Sequence, residues 1–154
     1  MKFEIKNWFS GSTIYQDEAE SFSALVQAAV KAGANLSDAN LSGAKDLPGL
    51  CVAQLSILPE GVFFGWKKCQ NNVIIKLLIP HNVRRSNATG RKCRAESVRV
   101  LQVFGAFEGI SQHDNKTIYR KGETVICDSW NENRWVECGG GIHFYLTRVE
   151  AENN

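Results

Sequence analysis

A chain of 154 residues, 44% hydrophobic and 22% charged, has the apolar content of one ordinary globular core. That excludes a wholly disordered chain and would leave two independent domains each small and marginal. The formal net charge is only +2, so any strongly charged site must come from local placement and not from bulk charge. Five cysteines, Cys51, Cys69, Cys93, Cys127 and Cys138, form an odd, widely spaced set with no close pair, which argues against a disulfide framework and predicts reduced thiols. The N-terminus, MKFEIKNWF, lacks a continuous apolar segment and a small-residue cleavage pattern, and the most apolar run, VIIKLLI, is short and carries Lys76. An intracellular, soluble protein with no membrane partner is expected.

Lys2 to Gln16 reads as two short strands, FEIKNW and TIYQ, turning at Ser10-Gly11-Ser12, where glycine supplies the freedom a tight hairpin needs. From Asp17 the period changes. Phe22, Leu25, Val26, Ala29 and Val30 fall at helical spacing, with acids early, Lys31 late and Gly33 just beyond, which predicts a helix over Asp17 to Ala32. Then come ANLSD, ANLSG and AKDL, a period of five residues with alanine first and leucine third, and a weak echo in Ala53-Gln54-Leu55-Ser56 beyond Pro48-Gly49.

After Gly61 the pattern is of strands: VFFGWKKC, VIIKLLI and SVRVLQVFGAF, then shorter candidates at Thr117 to Tyr119, Thr124 to Cys127 and Ile142 to Thr147. Gly109 to Asn115 and Asp128 to Asn133 read as polar loops, and Arg148 to Asn153 as a last helical turn. The fold class expected is α+β, one domain with a mostly antiparallel sheet. Its segments are 1–33 (hairpin and helix), 34–58 (repeat) and 59–154 (β-rich).

Between VIIKLLI and SVRVL lies the densest charge. Arg84, Arg85, Arg91, Lys92, Arg94 and Arg99 are six of the chain's 18 Lys and Arg residues, and Glu96 is the one acid among them. Guanidinium groups on a loop that also offers Ser86, Asn87, Thr89 and the Gly90 amide suit phosphate or carboxylate, which they bind bidentately. The alternative is a solvated edge between strands.

A second candidate is Trp130 to Arg148, which holds Trp130, Arg134, Trp135, Cys138, the Gly139-Gly140-Gly141 run and His143. Arg134 and the glycine amides would meet phosphate oxygens while a tryptophan stacks on a base. The competing reading is a glycine-rich turn with both tryptophans in the core. Cys138, His143, Cys127 and His113 lack the close spacing of a structural zinc site, and no cysteine sits in a recognisable nucleophile context, so no metal or cofactor is called for.

IKNWFSGSTIYQDEAESF, the ANLSDANLS repeats, IPHNVRRSNATGRKCRAESVRVL and YRKGETVICDSWNENRWVECGGGIHFYLTR together resemble a group of pentapeptide-repeat proteins found largely in bacteriophages, over nearly the whole chain. The resemblance implies a short hairpin and helix, a variable number of pentapeptides and a C-terminal domain of no established function. Pentapeptide repeats wind right-handed quadrilateral β-helices of about four repeats per coil with leucine and alanine inward. This run is too short for one coil. It must lean on the rest of the chain or on a second copy, and a homo-oligomer joined through Ala34 to Leu47 is expected. The resemblance also implies the host cytoplasm as location. The expected function is an accessory, anti-defence protein that binds an anionic, nucleotide-like immune signal through Arg84, Arg85, Arg91, Lys92, Arg94, Trp130, Arg134, Trp135 and His143. The alternatives are a module that inhibits a host protein complex, nucleic acid as a less favoured partner, and an enzyme of nucleotide or ADP-ribose chemistry, to which GIHF is loosely similar.

Overall fold

The computed structural model describes all residues from 1 to 154. The chain forms two compact units, each assembled from three stretches of sequence. The first comprises Met1–Ile57, Asn87–Gly90 and Asn131–Gly139, and the second Leu58–Ser86, Arg91–Trp130 and Gly140–Asn154. The elements are those of an α+β protein, and the sheets are mostly antiparallel.

In the first unit β1 (Lys2–Lys6) and β2 (Thr13–Glu18) make the expected hairpin, with Ile5 opposite Tyr15. The Asn7 side-chain carbonyl accepts the amides of Phe9 and Ser10, both at 2.9 Å, and Gly11 takes φ +71°, so the turn is set by an asparagine and a glycine. Helix α1 (Phe22–Lys31) starts later than its acidic leader suggested. Asp17 and Glu18 are still paired with Phe3 and Lys2 in the hairpin, and Ser21 is the first residue able to cap, its Oγ accepting the Ala24 amide at 3.1 Å. Leu25, Val26 and Ala29 point into the core.

The five-residue period is structural. The Asn35 side chain accepts the Ser37 amide at 3.0 Å and the Asn40 side chain accepts the Ser42 amide at 3.1 Å, while the Ala39 and Ala44 amides donate to Leu36 O and Leu41 O. Each copy therefore makes the same two turns and turns its leucine and alanine inward. Leu36, Ala39, Leu41 and Ala44 are all buried, packed with Ile5, Leu25, Cys51 and Trp135. The hairpin supplies the missing rung, since the Asn40 amide donates to Lys6 O at 2.7 Å and the Trp8 amide to Asp38 O at 2.9 Å. On the other side the Thr89 hydroxyl donates to Ala39 O at 2.7 Å. This removes the reason for seating a second copy on Ala34 to Leu47, because the inward leucines are already covered within the chain. The echo Ala53-Gln54-Leu55 is not a further repeat; it lies in helix α2 (Gly49–Leu55).

The second unit is built on a four-stranded sheet in the order β10-β7-β4-β3, from β3 (Phe63–Lys68), β4 (Ile74–Ile79), β7 (Ser97–Phe104) and β10 (Thr124–Ile126). Two short strands, β5 (Arg85–Asn87) and β6 (Cys93–Ala95), lie where a single basic loop was expected. They join β11 (Ile142–Phe144) in a second sheet, and β8 (Glu108–Ile110) pairs with β9 (Ile118–Arg120). Ile75, Leu77, Ile79, Val98 and Val100 form the buried face. Gly65 is small because Phe144 lies on it; a Cβ there would sit 2.6 Å from the ring. Helix α3 (Arg148–Glu152) opens with a reciprocal cap between Thr147 and Glu150.

Leu25 and Leu41 are inaccessible to solvent, so Leu25→Ala or Leu41→Ala should each lower stability by about 2–5 kcal/mol in urea titration. Leu41→Asp should unfold the first unit, seen as lost helical circular dichroism, and not simply release a folded monomer.

Candidate functional site

Arg84, Arg85, Arg91 and Arg94 of the expected basic loop each have partners within the chain, and Arg84 and Arg94 lie 5.7 and 4.5 Å from the same Trp130 ring. Arg84 pairs with Glu96 at 2.5 Å and Arg91 with Glu150 at 2.5 Å. Arg85 donates to Gly61 O at 2.5 Å and Pro80 O at 3.1 Å while lying 5.0 Å from the Phe63 ring centre. Arg94 is 2% exposed; it donates to Gly140 O at 2.7 Å, and its guanidinium stacks 4.5 Å from the Trp130 ring. In the first unit Arg134 donates to Ser56 Oγ and Asn87 O and lies 4.7 Å from the Trp135 ring, itself in the core. The space at the three glycines is filled by the chain: Asn131 lies against Gly139, Ser129 against Gly140, and Trp130 with Arg94 against Gly141. Gly141 also has φ +140°, which a side chain would strain.

Lys92 and His143 are brought together. They share a pocket of about 190 Å3 in the second unit with Lys67, Lys68, Gln112, His113, Tyr145 and Asn154. Alternation along β3 puts Lys67 on the same side as Phe63 and Gly65, so its stem is buried. Its ammonium donates to His143 O at 3.1 Å and lies 5.7 Å from the Tyr119 ring centre. Lys68 donates to Glu152 O at 3.1 Å and Asn154 O at 3.2 Å. Lys92, just before β6, carries neither hydrogen bond nor ion pair. His113 meets His143 edge to face, ring centres 5.7 Å apart. The loop that bears His113 is pinned by the Gln70 amide, which donates to Asn115 Oδ1 at 2.7 Å, and by the Asp114 carboxylate, which accepts the Lys116 and Thr117 amides and the Thr117 hydroxyl.

No Asp or Glu side chain lines this pocket, and the electrostatics follow. Burial, reinforced by Lys92, Lys67, His113 and Arg94, pushes the His143 imidazole down to about 3. Burial, then Lys92, also lowers the Lys67 ammonium, against the opposite pull of Cys69 and Asp114. His143 is thus neutral at pH 7, and its Nε2 is buried without a hydrogen-bond partner. A buried polar atom left unpaired is costly and calls for an explanation. The arrangement suits an anionic head group: lysine charges to attract it and a neutral imidazole to hydrogen-bond it. No group of three or more His, Cys, Asp or Glu side chains is placed to hold a metal ion.

A family model described as a family of unknown function, DUF5758, matches residues 53–151. The chain belongs to this family. The match takes in every residue lining the pocket except Asn154. No curated protein and no solved structure matches the chain, and no helix is long and apolar enough to cross a membrane.

Lys67 and Lys68 were missed in the sequence, and His113 was weighed there only as a metal ligand or base. One signal was present: in VFFGWKKC a lysine occupies the core-facing register of a strand, a placement that needs a partner.

His143 binds its proton near 6.5 when unfolded and near 3 when folded. Between those values the unfolded chain holds more protons, so acidification through that window should lower stability, with no contribution above it. Glu96 and Glu150, held low by Arg84 and Arg91, slope the same way. The test is therefore a difference: His143→Asn should lose less stability than the wild type between pH 6 and 4 in urea titrations.

Proposed function

We propose that this protein binds an anionic, phosphate-bearing ligand at the pocket of Lys67, Lys68, Lys92, His113 and His143. The supporting observation is a small cavity ringed by three lysines and two histidines, with no Asp or Glu side chain in its lining. Its volume of about 190 Å3 is below the roughly 300–1,000 Å3 typical of sites that engulf a drug-sized ligand. The pocket accordingly takes the phosphate head and leaves the remainder of the ligand outside. The resemblance to phage pentapeptide-repeat proteins suggests the source: a nucleotide immune signal in the host cytoplasm, which an anti-defence protein would sequester by binding, with no reaction needed.

The bound anion also answers the electrostatic strain of the free site. Its negative charge offsets the lysine part of the His143 depression, while burial, the larger cause, remains. Isothermal titration at about pH 7 with inorganic phosphate, AMP and a cyclic dinucleotide should show binding. Lys92→Glu should weaken it at least about tenfold, since it replaces attraction by repulsion beside the phosphate. Unchanged affinity in folded Lys92→Glu, or no heat with any of the three probes, overturns the reading.

A further inference from the structure

We propose that the outer face of the four-stranded sheet in the second unit is a stacking platform for single-stranded nucleic acid. This face is distinct from the anion pocket, which it meets at one edge through Lys68. It collects Phe64 and Trp66 from β3, Lys76 from β4 and Arg99 and Phe104 from β7, with Arg148 of α3 laid across one end. The register makes them neighbours: Trp66 is opposite Lys76, and Phe64 is opposite Leu78, which in turn is opposite Arg99.

Two features of this face call for a partner. First, aromatic rings stand on the solvent side: Phe64 is 52% exposed although it lies within a strand, and Trp66 is half-buried with its ring centre 6.0 Å from that of Phe104. Second, the charges among the rings are positive. Lys76 sits between two rings, 4.6 Å from Phe64 and 5.6 Å from Trp66, and Arg148 lies 4.6 Å from Phe104 and 5.8 Å from Trp66. Arg148 is paired with Glu152, whereas Lys76 and Arg99 have no ion pair. A folded apolar partner would have to desolvate those two cations without compensation, and an acidic peptide would leave the rings unused. Unpaired bases offer π-faces to the rings while their phosphates run past Lys76 and Arg99, which matches both features at once.

The test is fluorescence anisotropy with fluorescein-labelled dT15 and, as a charge control, polyphosphate of matched charge as competitor. Binding to dT15 at 50 mM salt is expected to weaken steeply by 200 mM. Phe64→Ala should reduce affinity about 5- to 150-fold, the usual worth of one stacked base. Arg99→Glu should weaken binding and flatten the salt dependence. Circular dichroism establishes that both variants fold. Phosphate affinity at the pocket should be unchanged in Phe64→Ala, so failure here is distinguishable from failure of the pocket reading. No binding at 50 mM salt, a Phe64→Ala affinity within twofold of wild type, or equal competition by polyphosphate overturns the proposal; the last result would mean that charge alone is read.

Discussion

One constraint organises the second unit: strand alternation puts the ammonium of Lys67 on the buried side of β3. A lysine in that register cannot be left among Ile75, Val98 and Phe144, because an unpaired charge in a core is far costlier than any packing gain. The surroundings supply what it needs. β11 brings the His143 carbonyl to its ammonium, the Tyr119 ring lies alongside, and the sheet opens at that point into a polar pocket. Lys92 and His113 then add to the positive field, and His143 yields by staying neutral. The pocket's positive lining follows from how a lysine on the buried side of a strand is accommodated.

The first unit meets a different constraint. A five-residue repeat run too short to stack on itself still needs a rung beside it and a core beneath it. The β1–β2 hairpin provides the rung through Lys6 and Trp8, Thr89 closes the opposite side, and α1 fills the core with Leu25 and Val26. The leucines and alanines of the repeat thus point into a core closed within the chain. Its neighbours come in part from distant stretches of the same chain, Asn87–Gly90 and Asn131–Gly139.

These two constraints explain what was legible in the sequence. Local periodicity gave the hairpin, α1, the repeat, β3, β4 and β7, because each is fixed by residues within a few positions of one another. The start of α1 was obscured by Asp17 and Glu18, acids that look like a helix leader yet finish a strand. The strands β5 and β6 carry only three residues each, too few for alternation to show, and they are recognisable only once β11 is beside them. Of the candidate residues, Lys92 and His143 meet in one pocket, but their companions Lys67, Lys68 and His113 lie 25, 24 and 21 positions from Lys92 in sequence. Proximity of that kind is a product of the fold.

The fate of the arginines shows why charge density alone misleads. Arg84, Arg85, Arg91, Arg94 and Arg134 each bind a carboxylate, a backbone carbonyl or a ring. The planar fork of a guanidinium is weakly hydrated and suits all three partners, so a chain with little regular structure between Ile79 and Ser97 uses arginine to hold loops and short strands in place. An ammonium is compact and strongly hydrated, and it serves that task less well. Lys92 at the pocket has neither ion pair nor hydrogen bond, and Lys76 on the open sheet face has only the Phe64 and Trp66 rings beside it. In this chain the cluster of arginines marks where the fold is fastened, and Lys92 and Lys76 carry positive charge that no ion pair takes up.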